Sequence, residues 1–75
     1  MNDAEMHLVV STSIAAIGYD AAASTLFVRF RGRQATYAYA RVEQSVFEAF
    51  LNSKSKGEYY NAKIRDHYSW HKIRP

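Results

Sequence analysis

The 75-residue chain carries ten Lys or Arg residues, seven Asp or Glu residues and a formal net charge of +3, and it contains no cysteine. A chain of this length forms one domain with a small core, and without cysteine neither disulfides nor thiolate metal sites can hold it. The N-terminal residues lack the basic and long apolar regions of a signal peptide, and no apolar run approaches the ~18 residues of a membrane span. We therefore expect a soluble cytoplasmic monomer without membrane contact.

The charges are unevenly distributed along the chain. The first 28 residues contain three acidic residues and no Lys or Arg. Residues 53–75 contain six Lys or Arg against two acidic residues, together with three tyrosines and the only tryptophan. Because cations attract phosphates and aromatic rings stack bases, this combination is typical of surfaces that bind nucleic acid.

Residues 1–12 are predicted to be a flexible segment, and residues 13–75 a single domain. From Ile14 to Ala40 the apolar side chains recur with a period of about two, which indicates strands. We predict strands over Ile14–Tyr19, Thr25–Arg31 and Gln34–Ala40, with a turn at Asp20–Ser24 and a tight hairpin at Gly32 and Arg33.

After Arg41 the apolar spacing becomes helical, and it predicts a first helix that begins between Val42 and Val46. Ser45 and Glu48 have the spacing of a capping box at its start. Ser55 and Glu58 repeat that spacing before a second predicted helix, Lys56–Asp66. The fold class is therefore α+β, a three-stranded antiparallel sheet followed by two helices packed on one face, with the other face open to partners.

Four separated segments resemble a known family. They are residues 14–20, the pair Tyr37 and Tyr39, residues 45–51 and residues 55–61. In this order they resemble the KTSC domain, which is named for the C-terminal module of some lysyl-tRNA synthetases and also occurs as small free-standing bacterial proteins. The resemblance covers about residues 11–68, and Tyr37 and Tyr39 match the tyrosine-x-tyrosine hallmark of the family. It implies an RNA-binding role, which the synthetase context suggests.

Two pairs in the predicted sheet are candidate nucleic-acid contacts. Tyr37 and Tyr39 are either stacking platforms on an open sheet face or core residues with their hydroxyls at the rim. The core interpretation is favoured, because tyrosine is usually partly buried and so short a chain needs its aromatic rings in the core. Arg29 and Arg31 lie on the polar face of the second strand. They are either phosphate contacts or solubilising charges that discourage edge pairing.

The second helix carries the stronger basic group. Its first turn, flanked by Lys54 and Lys56, is a candidate phosphate seat because backbone N–H groups are free there. Lys63 shares a helical face with Lys56, with Tyr59 between them in sequence, and Arg65 lies on an adjacent face. The alternative is a solvated helix exterior, which is the usual environment of lysines.

Motifs for catalysis or metal binding are missing from the sequence. It has no nucleophile elbow, no glycine-rich phosphate loop and no evident pair of close carboxylates. His67 and His71 are four residues apart, but a metal site needs three or four ligands. Trp70 is expected to anchor the C-terminal tail on the body of the domain.

We therefore predict a non-catalytic module without cofactor or metal that binds RNA through a basic and aromatic surface. The predicted contacts are Arg29, Arg31, Tyr37, Tyr39, Lys54, Lys56, Tyr59, Lys63 and Arg65. The alternative is a protein-interaction module that docks on an acidic partner or self-associates, with the tyrosines as interface anchors.

Overall fold

The computed structural model describes residues 5–73, which form a five-stranded antiparallel sheet and two short helices. The strands are β1 (Met6–Leu8), β2 (Ile14–Asp20), β3 (Thr25–Phe30), β4 (Thr36–Tyr39) and β5 (Trp70–Ile73), and their order in the sheet is their order in the chain. The helices are α1 (Gln44–Leu51) and α2 (Lys56–Tyr59), and α2 continues as a π-helical segment, Tyr60–Ile64, called the π-segment below. Residues 1–4 of the predicted flexible segment and residues 74–75 of the predicted domain lie outside the described residues.

The three predicted strands form the centre of the sheet, and the alternation of their side chains explains why. Val28 pairs with Ile17 on one side and with Tyr37 on the other, so these three side chains share a face. Val28 and Ile17 have no solvent exposure. Burial of this apolar face drives the pairing and fixes the register.

The number of strands in the prediction is wrong, because β1 and β5 extend the sheet at its two edges. Met6 pairs with Gly18 of β2, and Trp70 pairs with Tyr39 of β4. A Cβ atom at position 18 would lie only 2.6 Å from the Met6 sulfur, so the glycine makes room for the side chain of β1. Met6–Leu8, in the stretch predicted to be a flexible segment outside the domain, thus belongs to the sheet.

Both helices begin where the sequence predicted, α1 at Gln44 and α2 at Lys56, but α2 is shorter than predicted because the chain becomes π-helical at Tyr60. Glu43, not Ser45, is the N-cap residue of α1, and it makes no side-chain capping bond. Ser55 caps α2 as predicted, since its hydroxyl accepts from the Glu58 N–H at 3.3 Å. Within residues 5–73 no helix has the length and apolar character that crossing a membrane requires.

Both helical elements pack on one face of the sheet and close a single core. Phe50 of α1 and Ile64 of the π-segment are fully buried against the apolar strand residues. The predicted packing on one face therefore agrees with the structure. The opposite face carries Arg29, whose pairing partners are Ala16 and Thr36.

Candidate nucleic-acid interface

A cavity of about 580 Å³ lies between the π-segment and the adjoining part of the sheet, on the face that the helices cover. Side chains from β3, β4, β5 and the β3–β4 hairpin line one side, and side chains from the π-segment and the two residues after it line the other. Its volume falls within the range of about 300–1,000 Å³ that is usual for small-molecule sites. The fold therefore forms a concave site at the junction of strand ends and helix.

The β3–β4 hairpin supplies two of the arginines that line the cavity. Gly32 turns the chain with a φ of 78°. The connection is longer than the predicted tight hairpin at Gly32 and Arg33, since β3 ends at Phe30 and β4 begins at Thr36. On either side of Gly32, Arg31 donates from Nε to the Ser11 carbonyl oxygen, and Arg33 donates from Nη1 to the Tyr37 hydroxyl at 3.4 Å. Both side chains are exposed. Because a guanidinium has five N–H donors, each arginine retains donors for a ligand.

Aromatic rings form the floor of the cavity. Phe30 meets Tyr37 and Tyr60 edge to face, with ring centroids 5.5 and 5.1 Å apart. At the margin, the Trp70 ring lies 5.4 Å from Tyr37 and remains 54% exposed. An indole that is held by a neighbouring ring and still faces solvent is suited to stacking a planar ligand.

Two tyrosine hydroxyls meet at the bottom of the cavity. The Tyr39 and Tyr60 oxygens are 2.6 Å apart, and Tyr39 is only 1% exposed. One O–H donates to the other oxygen, which leaves the second O–H for a third partner. Burial raises the pKa of Tyr39 above its usual range, and the hydrogen bond and nearby charge of Tyr60 add to the effect. The pair is therefore a source of hydrogen-bond donation at neutral pH.

The raised pKa of Tyr39 predicts a stability loss in alkali. An unfolded chain loses this proton near pH 10, whereas the folded chain keeps it. Above pH 10 the folded state therefore binds more protons than the unfolded state does. Above pH 10 the free energy of unfolding should then fall by about 1.4 kcal/mol per pH unit from this group alone. Tyr39→Phe should remove that contribution, at a cost of about 1 kcal/mol at pH 7 for the lost hydrogen bond. Urea denaturation at several pH values between 9 and 11 measures the free energy of unfolding of the wild type and of Tyr39→Phe. If this free energy falls equally steeply with pH in both proteins, the prediction is wrong.

The π-segment brings further polar groups to the cavity. The Arg65 N–H donates to the Tyr60 carbonyl at 2.8 Å, five residues back, which is the π-helical pattern. Tyr60 and Arg65 are thus about one turn apart and both line the cavity, as do Asn61 and Asp66. Single π turns are frequent at functional sites.

The structure brings four of the nine predicted contact residues together. Arg31, Tyr37, Tyr39 and Arg65 all line the cavity. The core alternative holds for Tyr39, which is buried, whereas Tyr37 is half-buried and forms part of the cavity floor. Neither tyrosine lies on the open sheet face.

The other five predicted contacts lie outside the cavity. Arg29 is on the opposite sheet face, where it donates to the Thr36 hydroxyl at 3.2 and 3.3 Å, and Tyr59 stacks on Phe50 in the core with centroids 5.4 Å apart. The Lys56 ammonium donates to the Ser53 carbonyl oxygen after α1. Lys54 and Lys63 are exposed away from the lining. The predicted phosphate seat at the start of the second helix is partly occupied, because Ser55 already accepts one of its N–H groups.

Sequence reasoning did not assign Arg33, Tyr60 and Trp70 to the site. Arg33 was placed only as a turn residue, although a basic side chain beside a hairpin glycine projects from the end of the sheet. Trp70 was predicted to anchor the tail, but the backbone pairing of β5 does that and leaves the ring largely exposed. The sequence signal for this strand is weak, since Trp70–Ile73 begins and ends with a residue type that favours strands but does not alternate.

Metal-ligating side chains do not cluster in the described part of the chain. Residues 5–73 contain no group of three or more His, Cys, Asp or Glu side chains that could hold a metal ion. The cavity lining offers guanidinium groups, aromatic rings, hydroxyls, the Asn61 amide and the Asp66 carboxylate. The guanidinium groups and the rings are suited to recognising anions and planar rings.

Comparisons with known proteins agree with the fold. The family model described as the KTSC domain matches residues 10–68. A protein of Tsukamurella paurometabola is 38% identical over 63 residues, which are 84% of this chain and 92% of that protein. The crystal structure of a KTSC domain protein from Yersinia pestis superposes with a TM-score of 0.89 at 31% identity, covering 95% of this chain and 99% of that one. The chain belongs to the KTSC domain family.

Proposed function

We propose that this protein is a non-catalytic module that binds single-stranded RNA in the cytoplasm, as a monomer. The bases stack at Trp70, and the cavity arginines contact the phosphates. The proposed surface differs from the one expected from the sequence, which combined the open sheet face with the start and outer side of the second helix. The proposed contacts lie in the cavity on the helix-covered face. Arg31, Tyr37 and Arg65 remain in the proposed interface, and Arg33 and Trp70 join it.

One observation carries the proposal: a half-exposed tryptophan and three arginines line the same cavity. Stacking of a base on an aromatic side chain contributes about 1–3 kcal/mol and tolerates any base. Arginine binds phosphate with two parallel N–H donors, more strongly than a neutral donor does. The two interactions together recognise the two components that every nucleotide contains, an aromatic base and an anionic phosphate.

The concave shape favours single strands over duplexes. A base can enter a cavity only if it leaves its stack, and bases in loops, bulges and ends of RNA are already available. A duplex would have to spend free energy on unstacking before it could use Trp70.

A second candidate is docking of a protein on β1, and it uses a different surface. β1 is an edge strand; its last residue, Leu8, is 87% exposed, and Val10, two residues further on, is 96% exposed. Edge strands with apolar side chains favour pairing with another chain, including a second copy of this one. Leu8→Lys with Val10→Lys would weaken such an association without touching the cavity.

A titration of labelled single-stranded RNA tests the RNA-binding proposal. For a single strand, each phosphate contact contributes about −0.7 to the slope of the logarithm of the association constant against the logarithm of salt concentration. Three phosphate contacts should therefore give a slope of about −2. Fluorescence anisotropy between 50 and 300 mM salt measures the slope, with a hairpin-free duplex of the same length as the control. Absence of binding at 50 mM salt, or equal affinity for the duplex, would contradict the proposal. Association that persists after nuclease treatment and responds to the β1 variant would favour protein docking.

A further inference from the structure

The basic side chains that the structure describes lie on different parts of the surface. Within residues 5–73, the Lys or Arg residues that line the cavity are Arg31, Arg33 and Arg65. Arg29 lies on the opposite face of the sheet, and Lys54 lies outside the lining. A protein that follows a long RNA backbone needs cations spaced along a groove. This arrangement instead concentrates positive charge at one point.

The charge at that point suits a group more negative than a phosphodiester. Three arginines and Asp66 leave two positive charges on the lining. An internal phosphodiester carries one negative charge, whereas a phosphomonoester carries about −1.5 to −2 at neutral pH and offers three acceptor oxygens. Guanidinium groups meet such an oxygen cluster with paired N–H donors.

The size of the cavity also matches one nucleotide better than a run of them. A volume of about 580 Å³ lies in the lower half of the range for small-molecule sites. Trp70 lies at the margin, while the Tyr39–Tyr60 pair at the bottom offers one O–H to a polar atom of the ligand. A base that stacks on Trp70 would leave its own phosphate near the hairpin arginines.

From these observations we propose that the cavity captures the terminal nucleotide of an RNA strand and that its three arginines bind a terminal phosphomonoester. This inference rests on the proposed RNA binding and specifies which part of the strand occupies the site. The chemistry is shared by 5′-phosphate and 3′-phosphate ends, and the experiment distinguishes them.

The test compares single-stranded hexamers of one sequence that differ only at their ends. One carries hydroxyls at both ends, one a 5′-phosphate and one a 3′-phosphate, and a circular RNA of the same composition has no end. We expect one of the two phosphorylated hexamers to bind about tenfold more tightly than the hydroxyl-ended hexamer, and the circle to bind no better than the latter. Equal affinity for all four RNAs would overturn the inference and leave the proposed RNA binding intact. Failure of every RNA to bind would overturn both.

Two single substitutions show whether the phosphate occupies this cavity. Arg33→Gln removes one exposed guanidinium of the lining and should reduce the preference for the phosphorylated hexamer to less than about threefold. Arg29→Gln makes the same chemical change on the opposite sheet face and should leave the preference unchanged. Both residues are exposed, so circular dichroism and thermal melting should show the wild-type fold. If the preference for the phosphorylated hexamer stays unchanged in each of the single variants Arg33→Gln, Arg31→Gln and Arg65→Gln, the phosphate binds elsewhere and the inference is overturned.

Discussion

The double substitution Arg33→Glu with Arg65→Glu should weaken binding of single-stranded RNA by about a hundredfold or more. Both arginines line the cavity, one from the hairpin and one from the end of the π-segment, so a ligand in the cavity contacts them from opposite sides. A hydrogen bond to a charged group contributes about 1.5–3 kcal/mol, and each 1.4 kcal/mol is a factor of ten in affinity. Reversal of charge adds repulsion to the loss of both contacts. Anisotropy titration at 100 mM salt measures the change.

The matched control is Arg29→Glu with Lys54→Glu. It changes the net charge by the same amount at two exposed positions outside the cavity. Because 0.1 M salt screens interactions between charges more than about 10 Å apart, the affinity of this variant for single-stranded RNA should fall less than about fivefold. Equal losses in the two variants would show that only the overall charge attracts RNA, and that the cavity is not the binding site.

Phe50→Ala should remove a large part of the free energy of unfolding of the domain. Phe50 has no solvent exposure, and its ring stacks on Tyr59 with centroids 5.4 Å apart and an angle of 15°. Truncation of a buried phenylalanine to alanine costs about 3–5 kcal/mol. A domain of this length has a total stability of roughly 4–11 kcal/mol, so the loss is a large part of it. Urea denaturation followed by circular dichroism measures the free energy of unfolding.

Val10→Ala is the control for this stability prediction. Val10 is 96% exposed, and its truncation should change the free energy of unfolding by no more than about 0.5 kcal/mol. A loss of less than 1 kcal/mol for Phe50→Ala would mean that α1 is not essential to the core. In that case elements other than α1 would have to cover the apolar face of the sheet.

The central strands and the two helical regions were predictable because their signals are local. Alternation at Leu26, Val28 and Phe30 identifies β3, and the apolar spacing at Phe47 and Phe50 identifies α1. The edge strands have weak local signals: β1 has three residues, and the first three residues of β5 are exposed. Their pairing depends on contacts with strands distant in sequence, which a local pattern does not contain.

Only part of the site was predictable for a related reason. Alternation placed Arg31 beside Arg29 on the polar face, but β3 ends at Phe30 and the chain turns before Arg31 can follow the pattern. Arg65 was expected on a regular helix, and the π-helical hydrogen bond to Tyr60 sets its actual direction. A residue type that fits a ligand is visible in the sequence, whereas the meeting of hairpin, π-segment and β5 is a property of the tertiary structure.

Trp70 gives the protein an intrinsic optical probe of its candidate site. It is the only tryptophan in the chain, and its indole is 54% exposed at the margin of the cavity. Indole emission depends on the polarity and contacts around the ring, so unlabelled ligands that enter the cavity would alter the fluorescence of the wild-type protein directly. Molecules that associate only with the distant β1 edge would leave that emission unchanged, and one spectrum would therefore separate the two surfaces.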